Sequence, residues 1–279
     1  MKITSPTPAS TFQVGPGPTW PAIPFSTGED LPYGQQLTWD WHVQWRSFSK
    51  KGTAVTTTNA WDAKEAVEGL GGALSVTVTG PSGKATAAAQ IAGTNPAAEQ
   101  ILAYLASRPD SAGFEKILEH ETRMTHFDSK GQPRASFDSG FGICQLTVPA
   151  PNFEQCWSWK LNIDAGLALY AAKRQAAARY LSQKRRSFTE DQLTREAVAR
   201  WNGGRYHVWN TAQNAWVRNP AILCDSKTGN IGWNMTKPDN RGKSEAALHL
   251  RDAAKYRHAP GAGDCWGYFG ICYADRLLS

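Results

Sequence analysis

The sequence of 279 residues contains no run of eighteen apolar residues, so it predicts no membrane-spanning helix. Its five cysteines include no CxxC pair, which argues against a structural zinc site. The start of the chain, "MKITSPTPASTFQVGPGP", has no apolar segment of the kind that a secretory signal needs. If the protein acts outside its own cytosol, either a leader is missing from this sequence or another route carries the protein, and we expect secretion without a classical signal peptide.

The net charge is +6 and the pI is about 9.1, which suits an anionic partner such as an acidic lipid or a cell-wall polymer. The basic residues are dispersed, and the densest cluster is only "QKRRSF" at 183–188, so a nucleic-acid partner is not predicted. Cys265 and Cys272 flank the aromatic turn "CWGYFGIC" and could form a disulfide in an oxidising compartment.

The periodicity of the chain predicts three parts. Residues 1–30 are rich in Pro, Gly, Ser and Thr and predict an extended arm. Residues 31–95 read as β structure, since "QLTWDWHVQW" alternates apolar and polar side chains and "PSGK" predicts a hairpin turn. Residues 96–279 contain several helical patterns, and Thr189 and Gln192 form a predicted capping box. The expected fold is α+β, with a small immunoglobulin-like β-sandwich followed by a mainly α domain that folds as a separate unit.

The stretch "ILEHETRMTH" at 117–126 half resembles a zinc-protease motif, which needs histidines four residues apart. His120 and His126 are six residues apart, so on one helix they point about 120° away from each other. The spacing therefore excludes a shared metal ion, and we predict no metal site.

The glutamates of this stretch are more informative. Ile117, Leu118 and Glu121 lie three, four and seven residues after Phe114, which places Glu121 on the apolar stripe of a helix. A carboxyl group on that stripe loses water, as a general acid that works near neutral pH requires. Glu119 points away from the stripe. On this helix alone, a purely structural glutamate with a buried partner remains the alternative.

Polar groups that suit a sugar follow the helix. Gly140 and Gly142 precede Gln145, and glycine allows close approach of the backbone to a ligand while glutamine can both donate and accept hydrogen bonds. Asn202 stands later, beside glycines at a predicted helix end.

Four motifs in this order resemble the lysozyme-like lytic transglycosylases and goose-type lysozymes over about residues 114–210. They are "ETR" (121–123), "GFGICQL" (140–146), "NIDAGLALY" (162–170) and "ARWNGG" (199–204). Thr122 stands where that family has Ser, Cys144 where it has Met, and Trp201 where it has Tyr. The last change removes a phenolic hydroxyl from the site that the resemblance implies.

The resemblance implies a lysozyme-like domain with Glu121 as the catalytic general acid/base. It places Gln145, Asn202, Trp201 and Tyr170 at the bound sugar and requires no metal or cofactor. Asp138 stands where goose-type lysozymes carry an aspartate, and it could position a water molecule for hydrolysis. It is equally plausible from the sequence that Asp138 is a structural residue that caps the turn before Ser139 and Gly140.

The expected function is cleavage of the β-1,4 bond between N-acetylmuramic acid (MurNAc) and N-acetylglucosamine (GlcNAc) in peptidoglycan, by a lytic transglycosylase. The expected site of action is the periplasm or the cell wall, reached through a secretion machine or a phage. An antibacterial effector delivered in this way requires an immunity protein in the producing cell. The alternatives are a hydrolytic muramidase that uses Asp138, and a non-catalytic glycan-binding or delivery component.

Overall fold

The computed structural model describes residues 1–137 and 139–279. Within these residues the chain forms thirteen strands in four sheets and eight α-helices. The chain divides into two compact units, each made of two segments. The first unit is Met1–Tyr104 with Glu121–Gly166, and the second is Leu105–His120 with Leu167–Ser279.

A five-stranded sheet forms the centre of the first unit. In spatial order its strands are β2 (Thr11–Val14), β8 (Gly83–Gly93), β7 (Gly72–Gly80), β4 (Leu37–Trp45) and β5 (Phe48–Thr56). Neighbours pair antiparallel except for β2 and β8, which are parallel. Alternate residues of β4 from Leu37 to Trp45 are buried, as the period-two pattern predicts for a strand with one face on the core.

A second sheet of the first unit has the order β1 (Ile3–Ser5), β3 (Pro24–Thr27) and β6 (Ala60–Asp62). Residues 1–30 thus contribute three strands, two of them to this sheet. Two short helices complete the unit, namely α1 (Lys64–Val67) and α4 (Phe153–Trp157). Three further helices, α2 (Ala98–Ala106), α3 (Phe114–Thr122) and α5 (Trp159–Leu181), run from one unit into the other.

The second unit contains helices and further β structure. Its helices are α6 (Glu190–Trp201), α7 (Glu245–Asp252) and α8 (Gly270–Leu278). Its strands are β9 (His207–Asn210), β10 (Ala215–Arg218), β11 (Ile222–Cys224), β12 (Ile231–Asn234) and β13 (Trp266–Tyr268). β9 and β10 form a hairpin, while β11, β12 and β13 form a three-stranded sheet in that order. The predicted capping box is confirmed, because Thr189 and Gln192 exchange both side-chain hydrogen bonds at the start of α6.

The predicted fold class is wrong. The chain is a sheet-rich mixed α/β protein, and it is not a small β-sandwich followed by a mainly α domain. Strands β9 to β13 are only three or four residues long. Such short strands contain too few residues to display a period of two, so the sequence pattern did not reveal them. No helix in the described part of the chain is both long enough and apolar enough to cross a bilayer.

One hydrophobic core contains residues from both sides of residue 96. Trp157 is fully buried, and its ring lies 6.0 Å from that of Trp45 and 5.8 Å from that of Phe127. The same ring lies against Gly71, where an added Cβ would come within 2.2 Å of Trp157 Cε3. The shared core gives a physical reason against independent folding of a fragment that begins near residue 97.

A disulfide joins Cys224 to Cys272 across 48 positions of the second unit, so the suggested Cys265–Cys272 pair is wrong. Cys265 is a free, half-buried thiol. Cys224 ends β11, and Gly232 on the neighbouring strand leaves room for the sulfur, since a Cβ there would lie 2.9 Å from Cys272 Sγ. Cys272 lies in α8, and the packing of this helix against β11 was not predicted from the sequence pattern.

We expect the double substitution Cys224→Ser/Cys272→Ser to lower the free energy of unfolding by about 4 kcal/mol, because closing a loop of this length restricts the unfolded chain. Urea unfolding of the full chain measures the difference. Cys265→Ser serves as the matched control and should change the free energy by less than about 0.5 kcal/mol. Equal stability of the double variant and this control would contradict a stabilising disulfide.

Candidate functional site

Glu121 lies at the end of α3, and its predicted burial is wrong. Phe114, Ile117 and Leu118 are fully buried, as the stripe predicts, but Glu121 is exposed. The helix ends one residue later at Thr122, which is the buried residue of this last turn. The apolar stripe is therefore interrupted where the helix stops, and the Glu121 carboxyl group remains in contact with water.

Thr122 connects the end of α3 to the glycine-containing segment that the sequence singled out. Its buried hydroxyl donates a hydrogen bond of 3.0 Å to the carbonyl oxygen of Ile143. The chain then turns back through Arg123 and Met124, which adopt φ values of 54° and 55°. The hydrogen bond from Thr122 holds the helix end beside the segment that carries Gln145.

The side chains of His126 and Asn162 hold the segment that carries Gln145 through hydrogen bonds to its backbone. The backbone N–H of Ile143 donates to His126 Nδ1 at 3.1 Å, and the N–H of Cys144 donates to Asn162 Oδ1 at 3.0 Å. Gly142 has a φ of 74°, and a Cβ there would lie 2.4 Å from Asn162 Nδ2. Glycine is required at this position because the buried polar side chains pack directly against the backbone.

Both ring nitrogens of His126 are occupied by backbone groups. Because Nδ1 accepts from Ile143, the ring proton sits on Nε2, which donates to the carbonyl oxygen of Cys156 at 2.8 Å. Burial lowers the pKa of His126 to about 4, and the hydrogen bond to Cys156 opposes this shift only in part. His126 is thus a neutral structural residue and is not available as a metal ligand.

We expect this histidine to make stability depend on pH. The unfolded chain takes up a proton near the ordinary pKa of 6.5, whereas the folded chain does so near pH 4. The contribution of His126 is therefore complete above pH 6.5 and decreases by about 3 kcal/mol as the pH falls from 6.5 to 4. Urea unfolding at several pH values measures this loss. His126→Gln is the comparison variant, and an identical pH dependence of that variant would contradict the assignment.

Glu121 and Gln145 line one cavity of about 490 Å³ within the first unit. Most residues that line the cavity are polar or charged, and the full lining is Trp45, Arg46, Glu121, Thr122, Asp128, Gln132, Pro133, Arg134, Ala135, Ser136 and Gln145. Gln145 adopts a φ of 50°, and its Nε2 donates to the carbonyl oxygen of Gly142 at 2.7 Å. The structure thus brings together two of the predicted site residues.

Two arginines of the cavity were not predicted. Arg46 lies in the turn between β4 and β5 with a φ of 52°, and its guanidinium is 5.5 Å from the Trp45 ring and 5.8 Å from the Phe141 ring. Arg134 lines the same cavity from the loop after α3. A left-handed conformation at a non-glycine residue is strained and needs support from its surroundings. The strand pattern of β4 located the turn, but nothing in the sequence connected it to Glu121.

A second carboxylate in the cavity belongs to Asp128. Its Oδ1 accepts hydrogen bonds from the backbone N–H groups of Lys130 at 2.8 Å and Gln132 at 3.0 Å. These bonds fix the carboxylate in a tight turn beside the cavity. Asp138, the predicted second acid, lies outside the described residues.

Tyr170, Trp201 and Asn202 belong to the second unit. Tyr170 is fully buried, its hydroxyl donates to the carbonyl oxygen of Ala112 at 2.8 Å, and burial raises its pKa. The Phe114 ring lies 5.3 Å from Tyr170 and 5.5 Å from Trp201. Asn202 follows the last residue of α6 and is half-buried. The placement of Tyr170 is that of a core residue, whereas Trp201 and Asn202 retain exposed surface.

Two buried carboxylates of the second unit were also not predicted, and both are held by several donors. Glu196 accepts from Arg200 Nε at 3.0 Å and from the His207 N–H at 3.0 Å, and Asp225 accepts from His249 Nδ1 at 2.7 Å. Burial disfavours the charged form of Glu196, but the hydrogen bonds and the Arg200 charge outweigh it and lower the pKa. These groups stay ionised and hold helices to strands, which is a structural role.

Comparison with protein-family models, curated proteins and solved structures finds no match to this chain. The resemblance to lysozyme-like enzymes therefore rests on the four sequence motifs.

Proposed function

We propose that the protein cleaves the glycan strands of peptidoglycan between MurNAc and GlcNAc, with Glu121 as the general acid/base. The observation that carries the proposal is that Glu121 and Gln145, two residues of separate motifs, line one cavity. A carboxyl group, a primary amide and an aromatic ring at one concave surface are the groups from which sugar-cleaving sites are built.

The exposure of Glu121 is compatible with this role. A glycosidic oxygen can approach the carboxyl group because Glu121 lines the cavity. Thr122, whose hydroxyl is bonded to Ile143, fixes the backbone next to the acid.

The proposed reaction is that of a lytic transglycosylase. The Glu121 carboxyl group donates its proton to the glycosidic oxygen, and the bond from that oxygen to C1 of MurNAc breaks. The GlcNAc 4-hydroxyl leaves. The Glu121 carboxylate then takes the proton of the MurNAc C6 hydroxyl as its oxygen bonds to C1, giving a 1,6-anhydro sugar. The reaction therefore needs neither a protein nucleophile nor a water molecule.

The other groups of the cavity suit an anionic, N-acetylated glycan. The free edge of the Gln145 amide can pair with an acetamido group, which needs one donor and one acceptor. Arg46 and Arg134 offer guanidinium groups to the lactyl or peptide carboxylates that peptidoglycan carries. Trp45 presents an aromatic surface beside them.

Hydrolysis is the second candidate, and Asp128 is the observation that favours it. A fixed second carboxylate in the cavity of Glu121 is the element that an inverting hydrolase needs to activate water. Asp138 is the other candidate for this role. A non-catalytic glycan-binding or delivery component is a further alternative, and it would bind sacculi without releasing soluble fragments.

We expect Asp128→Asn to reduce the digestion of purified sacculi by less than about tenfold, since a transglycosylase needs no second carboxylate. Asp138→Asn should behave in the same way. A loss of about a hundredfold or more in either variant, together with reducing-end products, would identify the water-activating residue and favour hydrolysis. The turbidity of a sacculus suspension measures the rate.

The location and partners follow from the proposed substrate. The Cys224–Cys272 disulfide supports an oxidising compartment such as the periplasm. We propose an antibacterial effector that a secretion machine or a phage delivers to the cell wall, together with an immunity protein that blocks it in the producing cell. Expression in the periplasm tests this idea, because lysis should occur there with the wild type and should require Glu121.

A further inference from the structure

A cluster of aromatic rings in tilted and edge-to-face contact lies on the second unit, apart from the residues assigned to glycan cleavage. The rings of Tyr180 and Trp216 are 5.1 Å apart, and those of Trp209 and Trp216 are 5.3 Å apart. Two of the rings are fixed by hydrogen bonds, from Tyr180 to the His207 carbonyl oxygen at 2.9 Å and from Trp216 to the Leu181 carbonyl oxygen at 2.9 Å. The rings thus form a rigid base.

Three guanidinium groups lie over these rings. Arg186 is 4.1 Å from the centre of Trp209 and 5.3 Å from that of Trp216, while Arg205 is 4.8 Å from Tyr180. Arg200 covers Tyr180 at 5.2 Å and also pairs with the buried Glu196. A guanidinium held against an aromatic ring is already restricted in conformation, so it loses less entropy when it binds an anion.

Lys184 and Arg185 extend the positive charge through a strained turn before Arg186. Their φ values are 57° and 56°, a left-handed conformation that is unfavourable for both side chains. Both are exposed. We call the whole surface the arginine–aromatic patch, and its members are Tyr180, Lys184, Arg185, Arg186, Arg200, Arg205, Trp209 and Trp216.

Of the five cationic side chains of the patch, Arg200 is paired with the carboxylate of Glu196. Among the described residues, no carboxylate forms an ion pair with Lys184, Arg185, Arg186 or Arg205. Arginine and lysine side chains donate hydrogen bonds and accept none. The exposed charges therefore match a ligand that is rich in anionic acceptors.

We propose that the arginine–aromatic patch binds the phosphate groups of a linear phosphodiester polymer that carries no stacking bases. The planar edges of Arg186 and Arg205 fit two oxygens of one phosphate, while Lys184 and Arg185 contact neighbouring phosphates as point charges. This binding does not depend on glycan cleavage by Glu121.

Two other polyanions fit the patch less well. Single-stranded nucleic acid gains affinity by stacking its bases on free aromatic faces, but guanidinium groups lie over Trp209 and Tyr180. A bilayer surface favours apolar side chains beside the charges. Among the described residues, the large exposed apolar side chains all lie outside the patch: Tyr33, Val55, Leu102, Phe137, Val148, Leu161, Leu250 and Tyr268.

The test measures binding of fluorescently labelled poly(glycerol phosphate) to the full-length protein by anisotropy over a range of salt concentrations. We expect Arg185→Ser/Arg205→Ser to weaken binding at least about tenfold. The slope of log K against log salt should also fall, by about 0.7 for each phosphate that the variant no longer neutralises. Lys51→Ser/Lys84→Ser removes the same charge from exposed positions of the first unit and should bind like the wild type.

Arg186→Lys keeps the charge but loses the planar edge, and we expect it to bind several-fold more weakly than the wild type. Thermal unfolding of each variant confirms that it is folded. Equally weak binding by the two double variants, or no binding by the wild type at about 0.15 M salt, would overturn the proposal. Tighter binding of an oligo(dT) or a polyglutamate of the same length would also overturn it, by identifying a stacking or carboxylate ligand instead.

Discussion

Glu121→Gln is expected to reduce sacculus digestion by about three orders of magnitude, within the range that proton transfer by a positioned acid contributes. Glutamine preserves the size and shape of the side chain, but its amide is too weakly acidic to protonate the glycosidic oxygen. Binding to sacculi should be retained because the cavity is otherwise unchanged. The rate of turbidity loss measures activity, and a pull-down with insoluble sacculi measures binding.

Glu119→Gln is the matched control, since Glu119 is an exposed glutamate on the same helix that does not line the cavity. We expect this variant to digest sacculi at the wild-type rate. If the activity of Glu121→Gln were within about tenfold of the wild type, the activation barrier would differ by no more than about 1.4 kcal/mol. That result would show that Glu121 is not the catalytic acid.

The second large effect concerns the shared hydrophobic core. A fragment that contains only residues 97–279 is expected to show no cooperative unfolding of residues 121–166, because it loses the side chains against which Phe127, Phe153 and Trp157 pack. This expectation reverses the sequence-based prediction that the part of the chain from residue 96 folds as a separate unit. Circular dichroism melts of the fragment and the full chain test it.

A substitution in the full chain separates the packing effect from the truncation itself. Trp157→Ala should lower the free energy of unfolding by about 3–5 kcal/mol, since it removes a buried ring that packs against both Trp45 and Phe127 and leaves a cavity there. Leu161→Ala, at a position that is 44% exposed, should cost far less. A cooperative melt of the fragment at the temperature of the full chain would show that the core is not shared.

Local patterns predicted the regular elements that are long enough to display them. The alternation in β4 and the capping box of α6 depend on neighbouring residues, and both are confirmed. Strands β9 to β13 depend on pairing partners elsewhere in the chain and were missed. The burial of Glu121 was predicted wrongly because this residue lies in the last turn of α3, where Thr122 is buried and Glu121 is exposed.

The candidate site was predictable only in part. Glu121 and Gln145 came from motifs, and the structure brings them to one cavity. Arg46 reaches that cavity from a hairpin turn far away in the sequence, and Asp128 reaches it through a turn fixed by its own backbone bonds. Such convergence is a property of the tertiary fold, and a single sequence contains no local signal for it.

The most direct test of the account is mass spectrometry of the soluble products released from purified sacculi by the wild-type protein and by Glu121→Gln. We expect the wild type to release muropeptides that end in 1,6-anhydro-MurNAc and are lighter by one water than hydrolysis products. We expect the variant to release almost none. Release of only reducing-end muropeptides would show that the reaction is hydrolysis and that the protein is not a transglycosylase. The absence of any soluble muropeptide with the wild type would contradict glycan cleavage by Glu121.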